Sequence, residues 1–182
     1  MNFDEVKNKI YPWVKSSLSY EEILGDKIIS IDLLEKKLIA DLVVFFALDR
    51  GDDFRVLRPM DIPKDYSIEV LYKLACQNLT RDITFKIVLT NYGGYGICAD
   101  GNHEAGALCL DHIWEYIADR MDENFIVSAP NKDVITFVAQ SQTEALIKMK
   151  ELSSNSFKNG DRALTEHLFL YDIEQKKFTV YE

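Results

Sequence analysis

The chain has 182 residues, 47% of them hydrophobic, with 30 acidic against 21 basic side chains and a net charge of −9. That length supports one substantial core and is short for two, so a single domain is expected. The shortage of basic side chains argues against a nucleic-acid partner, whose phosphates need a positive stripe, and favours a basic protein as partner if there is one.

The amino terminus is charged and lacks an apolar run ended by a small-residue cleavage site, so no signal peptide is expected. The longest apolar run, at 42–48, is far short of the ~20 residues a membrane-spanning helix needs. Three cysteines without a CxxC pair suit free thiols, and a cytoplasmic location is expected.

Phe3, Val6, Ile10, Trp13 and Val14 recur at helical spacing, which predicts an amphipathic opening helix kinked or divided at Pro12. Residues 1–40 then read as an amino-terminal helical extension and 41–182 as the core. A short strand is expected at 27–32. Leu34, Leu38, Leu42 and Phe46 suit a helix, but Val43 to Phe46 are β-branched and aromatic, and Arg50 to Asp53 are turn chemistry. A hairpin with strands near 41–48 and 53–57 is therefore preferred. Ser67 is a good N-cap for a helix carrying Ile68, Leu71, Tyr72, Ala75 and Leu79 on one side.

The stretch 83–139 organises the rest. Ile83, Phe85, Ile87 and Leu89 alternate with polar residues and predict a strand with a buried face. A glycine-rich corner follows at 91–96, and a hairpin turn is expected at 100–102. If Cys98 and Cys109 flank that turn, they lie about four residues out of register. At ~3.3 Å per residue that is roughly 13 Å, beyond the ~7 Å limit for a disulfide. A helix over 112–121 leads to strands on either side of a turn at 130–133. Ile87, Leu89, Trp114, Ile117, Val127, Val134 and Phe137 are the expected core. Ser141 and Glu144 have the spacing of a capping box, opening a helix to about residue 152. Residues 153–161 are the best candidate for a mobile loop, and a hairpin closes the chain around 173–176. Hairpin followed by helix thus occurs twice, and the whole reads as an α+β fold with a largely antiparallel sheet covered by several helices.

The order and spacing of four segments resemble the YtpQ-like family of uncharacterised bacterial proteins. They are Leu-Val-Val-Phe-Phe-Ala-Leu-Asp, Leu-Tyr-Lys-Leu-Ala-Cys-Gln-Asn-Leu, Glu-Ala-Gly-Ala-Leu-Cys-Leu-Asp-His-Ile-Trp and Ala-Pro-Asn-Lys-Asp-Val-Ile-Thr-Phe. The resemblance covers about residues 40–180. It implies a bacterial cytoplasmic α+β protein and brings no activity, cofactor or catalytic residue with it.

His103, Glu104, Asp111 and His112 offer two imidazoles and two carboxylates within ten residues, a set that could hold a divalent metal for hydrolysis. The spacing is not H-E-x-x-H, and a strand is expected between the two pairs. The simpler reading puts His103 in a turn, Asp111 at a helix N-cap and His112 in its first turn. A nucleophile reading would pair Cys98 or Cys109 with His103 or His112, but no neighbour lowers the thiol pKa. The glycine-rich corner has neither GxGxxG spacing nor a Lys-Ser/Thr end for phosphate. Its expected job is a bend, with Tyr92 and Tyr95 as candidate partner-binding residues. No cofactor is called for. The preferred reading is a non-enzymatic, protein-binding module of regulatory or immunity type, and the alternative is a small metal-assisted hydrolase on the His103 cluster.

Overall fold

A computed structural model describes residues 2–17 and 33–182; the strand expected at 27–32 lies outside them. The architecture is α+β, and every strand pairing among the described residues is antiparallel. The chain divides into two compact units, Met1–Ile83 and Thr84–Glu182.

In the first unit a short helix, Phe3–Val6, and a 3-10 turn, Lys7–Lys9, lead into strand β1, Ile10–Ser16. The continuous helix expected here does not form. Pro12 would break a helix interior, and Ile10, Tyr11, Trp13 and Val14 are β-branched or aromatic. As an end strand of its sheet, β1 tolerates a proline that cannot donate. Strands β2 (Glu35–Ile39), β3 (Leu42–Asp49) and β4 (Phe54–Val56) complete the sheet, with β3 between β1 and β2 and β4 also pairing with β3.

The β3–β4 hairpin forms where expected. Its turn is held by Gly51 N–H on the Asp49 carboxylate at 2.7 Å and Arg50 N–H on the Asp53 carbonyl at 3.0 Å. Ser67 caps the Ile68–Asp82 helix, accepting from Val70 N–H at 3.2 Å. That helix buries Leu71 and Ala75 against Phe3, Ile10, Leu34, Phe46, Leu48 and Leu57. Asn78, also buried, donates to the carbonyls of Lys7 and Ile10 at 2.8 and 2.9 Å, tying the helix to the start of β1.

The second unit is a six-stranded sheet in the order β10-β9-β7-β8-β6-β5. Its strands are β5 (Lys86–Leu89), β6 (Tyr95–Cys98), β7 (Phe125–Asn131), β8 (Val134–Ala139), β9 (Leu168–Asp172) and β10 (Lys177–Val180). Side-chain alternation sends Phe125 and Val127 to one face and Ile126 to the other. On the first face Trp114 of the Asp111–Met121 helix meets Phe125, Phe137, Tyr171 and Phe178. On the second, Ala145, Leu146 and Met149 of the Thr143–Asn159 helix pack on Ile126, Val138 and Leu168. The sheet is covered on both sides.

Trp114, Ile117, Val127 and Phe137 are buried as expected. Ile87 and Leu89 are not: β5 is the end strand, and they are 40% and 72% exposed. Val134, beside the β7–β8 turn, is only half-buried. The hairpin next to β6 turns through the glycine corner before it rather than at 100–102. Thr90 N–H donates to the Gly94 carbonyl at 2.8 Å and Gly94 N–H to the Thr90 hydroxyl at 2.9 Å. Beyond β6 the chain forms a 3-10 helix, Glu104–Cys109, instead of a strand. Its small residues let it lie under Trp114, whose indole N–H donates to the Ala107 carbonyl at 2.7 Å. Residues 153–159, read as part of a mobile loop, continue the helix to Asn159. The Ser141–Glu144 box is absent: the helix begins at Thr143 with Gln142 as its N-cap. Asp111 is the first helical residue, not the cap, which is Leu110.

Candidate functional site

The four proposed metal ligands separate into two environments. His103 and Glu104 are buried at the junction of the 99–103 turn and the 3-10 helix, while Asp111 and His112 are exposed in the first turn of the next helix. Among the described residues no group of three or more His, Cys, Asp or Glu side chains comes together to hold a metal. The burial of one pair and the exposure of the other is why: the connecting 3-10 helix is packed in the core.

Glu104 serves the turn itself. Its Oε1 accepts from Ala99 N–H at 2.9 Å and Gly101 N–H at 2.7 Å, which fixes the chain reversal around Gly101 at φ +86°. Its Oε2 has no hydrogen-bond partner among the described residues. Asp100 completes the turn, with Oδ1 accepting from Asn102 and His103 N–H at 3.0 Å each and Oδ2 bonded to His103 Nδ1 at 2.8 Å. Burial pushes the Asp100 carboxyl up, but those three hydrogen bonds outweigh it and hold it below its usual value. Arg162 clamps the outside, donating to the Gly101 carbonyl at 3.2 Å and to Asp133 at 2.7 Å. Nothing local in the sequence announces that clamp, which joins segments sixty-one residues apart. Cys98 is exposed and Cys109 buried, and neither is in a disulfide.

The glycine corner has two distinct requirements. Gly93 takes φ +89°, a backbone conformation costly for side chains. At Gly94 a Cβ would stand 2.6 Å from Val138 Cγ1 and 2.7 Å from Tyr92 Cε2. The corner lies so close to β8 that only hydrogen fits. Tyr92 and Tyr95 are consequently half-buried: Tyr92 leans on the Ile126, Val138 and Met149 cluster, and Tyr95 stacks on Phe137 at 5.2 Å. Tyr95 is directly opposite Leu89 across the β5–β6 ladder. With Ile87, Val88 and Leu89 all exposed, this hairpin presents consecutive aliphatic side chains on an open sheet edge. Periodicity alone could not identify the edge. The signals that could are the single lysine on the strand and the tight Thr90–Gly94 turn that follows it.

A second surface is acidic. Asp111, Glu115 and Asp119, one turn apart on their helix, lie near the Tyr171 hydroxyl. Its pKa is raised first by burial and then by Glu115, Asp111 and Asp119. Lys176 pairs with Glu115 at 3.6 Å; Asp111 and Asp119 have no ion-pair partner among the described residues.

These features define an α+β protein of antiparallel sheets whose exposed surface combines an aliphatic edge with a row of carboxylates. The chain is similar to the UPF0354 protein of Bacillus pumilus (strain SAFR-032), at 23% identity over 170 residues, covering 91% of this chain and 61% of that relative. It thus spans about three-fifths of the length of the curated relative it matches. The relative is bacterial, and its name carries no activity. No family model matches the chain, and no solved structure matches it. No helix among the described residues is long and apolar enough to cross a membrane.

Proposed function

We propose that the chain is a YtpQ-like cytoplasmic protein acting as a non-enzymatic, protein-binding module of regulatory or immunity type. In this reading the β5–β6 hairpin, with Tyr92 and Tyr95 at its turn, meets a basic partner. The observation that carries the reading is the open β5 edge, where Ile87, Val88 and Leu89 are exposed side by side with only Lys86 to discourage association. Thr90 N–H points toward β6, so by alternation the backbone groups of Ile87 and Leu89 point away from it. An extended segment of a partner can add to them as a further strand, a recognition mode that takes affinity from main-chain hydrogen bonds and specificity from side chains. The net charge of −9, together with the Asp111–Glu115–Asp119 row, favours a basic partner and a salt-sensitive encounter.

The test is recovery of tagged protein from its native host at low and high salt, beside Leu89→Asp. The expected result is a stoichiometric partner on the wild type that is lost at high salt and lost from the variant. A clean monomer under all conditions, or a partner retained equally by Leu89→Asp, would remove the hairpin from the reading.

A further inference from the structure

Near the end of the sheet opposite β5, a partly open pocket of about 230 Å³ lies over the start of β9. It is lined by Lys150, Ser153 and Ser154 of the Thr143–Asn159 helix, by Glu166 and Leu168, and by Glu182. Its charges do not cancel. Lys150 is already committed, paired with the Glu182 carboxylate and lying 5.2 Å from the centre of the Tyr181 ring. Glu166 has no ion-pair partner among the described residues, so one lysine faces two carboxylates. The one uncompensated carboxylate disfavours anions and favours a cation.

Ser153 adds a polar group to the pocket independently of that charge. The residue is 6% exposed and lines the pocket, and its hydroxyl, which bonds to no described residue, is open to the solvent there. Where exposed Thr80 bonds back to the Cys76 carbonyl one turn earlier at 2.9 Å, Ser153 makes no such bond. The Ser153 hydroxyl is left available to whatever enters. Leu168, 4% exposed, supplies an apolar wall beside it.

We propose that this pocket binds the end of an aliphatic cation, a guanidinium in preference to an ammonium. The Glu166 carboxylate and the Ser153 and Ser154 hydroxyls accept from its N–H groups, and Leu168 covers its methylenes. The planar fork of a guanidinium offers five donors to acceptors spread over one side of a pocket, whereas an ammonium is a compact and strongly hydrated point charge. The same chemistry is carried by an arginine side chain on a protein and by a free alkylguanidine. The pocket is distinct from the β5–β6 hairpin and stands whether or not that hairpin binds a protein.

The experiment is an amide chemical-shift titration of the full chain with three probes: propylguanidine, the peptide acetyl-Gly-Arg-Gly-amide, and the same peptide with norvaline for arginine. Saturable shifts at Ser153, Ser154 and Leu168 are expected with one or both guanidinium probes and none with norvaline. Tighter binding of the arginine peptide assigns a protein side chain as the natural occupant, and tighter binding of propylguanidine assigns a small molecule. Glu166→Gln, at an exposed position, should weaken binding about ten-fold with an unchanged thermal midpoint, and Ser153→Ala should weaken it less. No saturable shift at millimolar propylguanidine or peptide, or equal binding by Glu166→Gln, overturns the proposal.

Discussion

Glu123 holds Ser141 twice: its carboxylate accepts from the Ser141 backbone N–H at 3.0 Å and from the Ser141 hydroxyl at 2.8 Å. The carboxylate expected to close this junction was Glu144, three residues on, but the one that does so lies eighteen residues earlier, just before β7. The pair joins the entry of β7 to the exit of β8, so the junction is a tertiary contact. Glu123→Ala should therefore lower stability by about 0.5–1.5 kcal/mol, and Glu144→Ala should lower it less. Denaturant midpoints of the two variants decide the point; equal losses would mean that Glu144 shares the role.

At the glycine corner two neighbouring substitutions should behave differently. A Cβ on Gly94 meets Val138 Cγ1, Tyr92 Cε2 and the Phe137 carbonyl oxygen, the last at 3.1 Å, whereas on Gly96 the nearest atom, Val88 Cγ2, is 3.5 Å away. Gly94→Ala should cost about 1–3 kcal/mol through overpacking, and Gly96→Ala should be close to neutral. Thermal unfolding of both checks it.

Tyr11 gives the first unit an alkaline signature. Burial and then the hydrogen bond to Asp82, at 2.9 Å, push its phenol up to about 12 from an ordinary 10.0. A raised folded-state pKa favours the protonated phenol. Its contribution to stability is therefore complete below the unfolded value and lost as pH climbs from 10.0 to about 12. Tyr11→Phe should show a flatter fall in stability across that window, and the difference absorbance between it and wild type should titrate near the upper limit.

Trp114 should be the costliest single truncation in the second unit. It is 1% exposed, ringed by four aromatic side chains, and its indole N–H satisfies the Ala107 carbonyl. Trp114→Ala should cost about 3–5 kcal/mol, enough to leave this unit partly unfolded. Trp114→Phe should recover part of that. Near-ultraviolet circular dichroism and denaturant unfolding measure both.

The features legible in the sequence were those set by local chemistry. Ser67 before an apolar helical stripe, Arg50–Asp53 between two strands, and the closing hairpin each carry their signal within a few residues. The features that were not legible depend on position in a sheet. The alternation of Ile87 and Leu89 is that of a half-buried strand, and nothing in it reveals that β5 lies at the end of the sheet order. The spacing of Phe3, Val6, Ile10 and Val14 suits a helix face, but pairing with β3 and Pro12 decide otherwise. At the candidate sites the same division holds. The corner at Gly93 and Gly94 was readable as a bend, while the Arg162 clamp and the company Ser153 keeps required residues distant in sequence.

The burial of β7 on every side has a consequence for how the second unit exchanges its amide protons. Phe125 to Asn131 are all buried, and Phe125 to Ser128 pair with both β8 and β9 between helices on the two faces. No small opening gives solvent access to those amides, so their exchange should track global unfolding of the unit and share one free energy. The outward amides of Ile87 and Leu89 on β5 have no such protection. They should exchange at rates close to those of an unstructured peptide, and slow down only when something pairs with that edge.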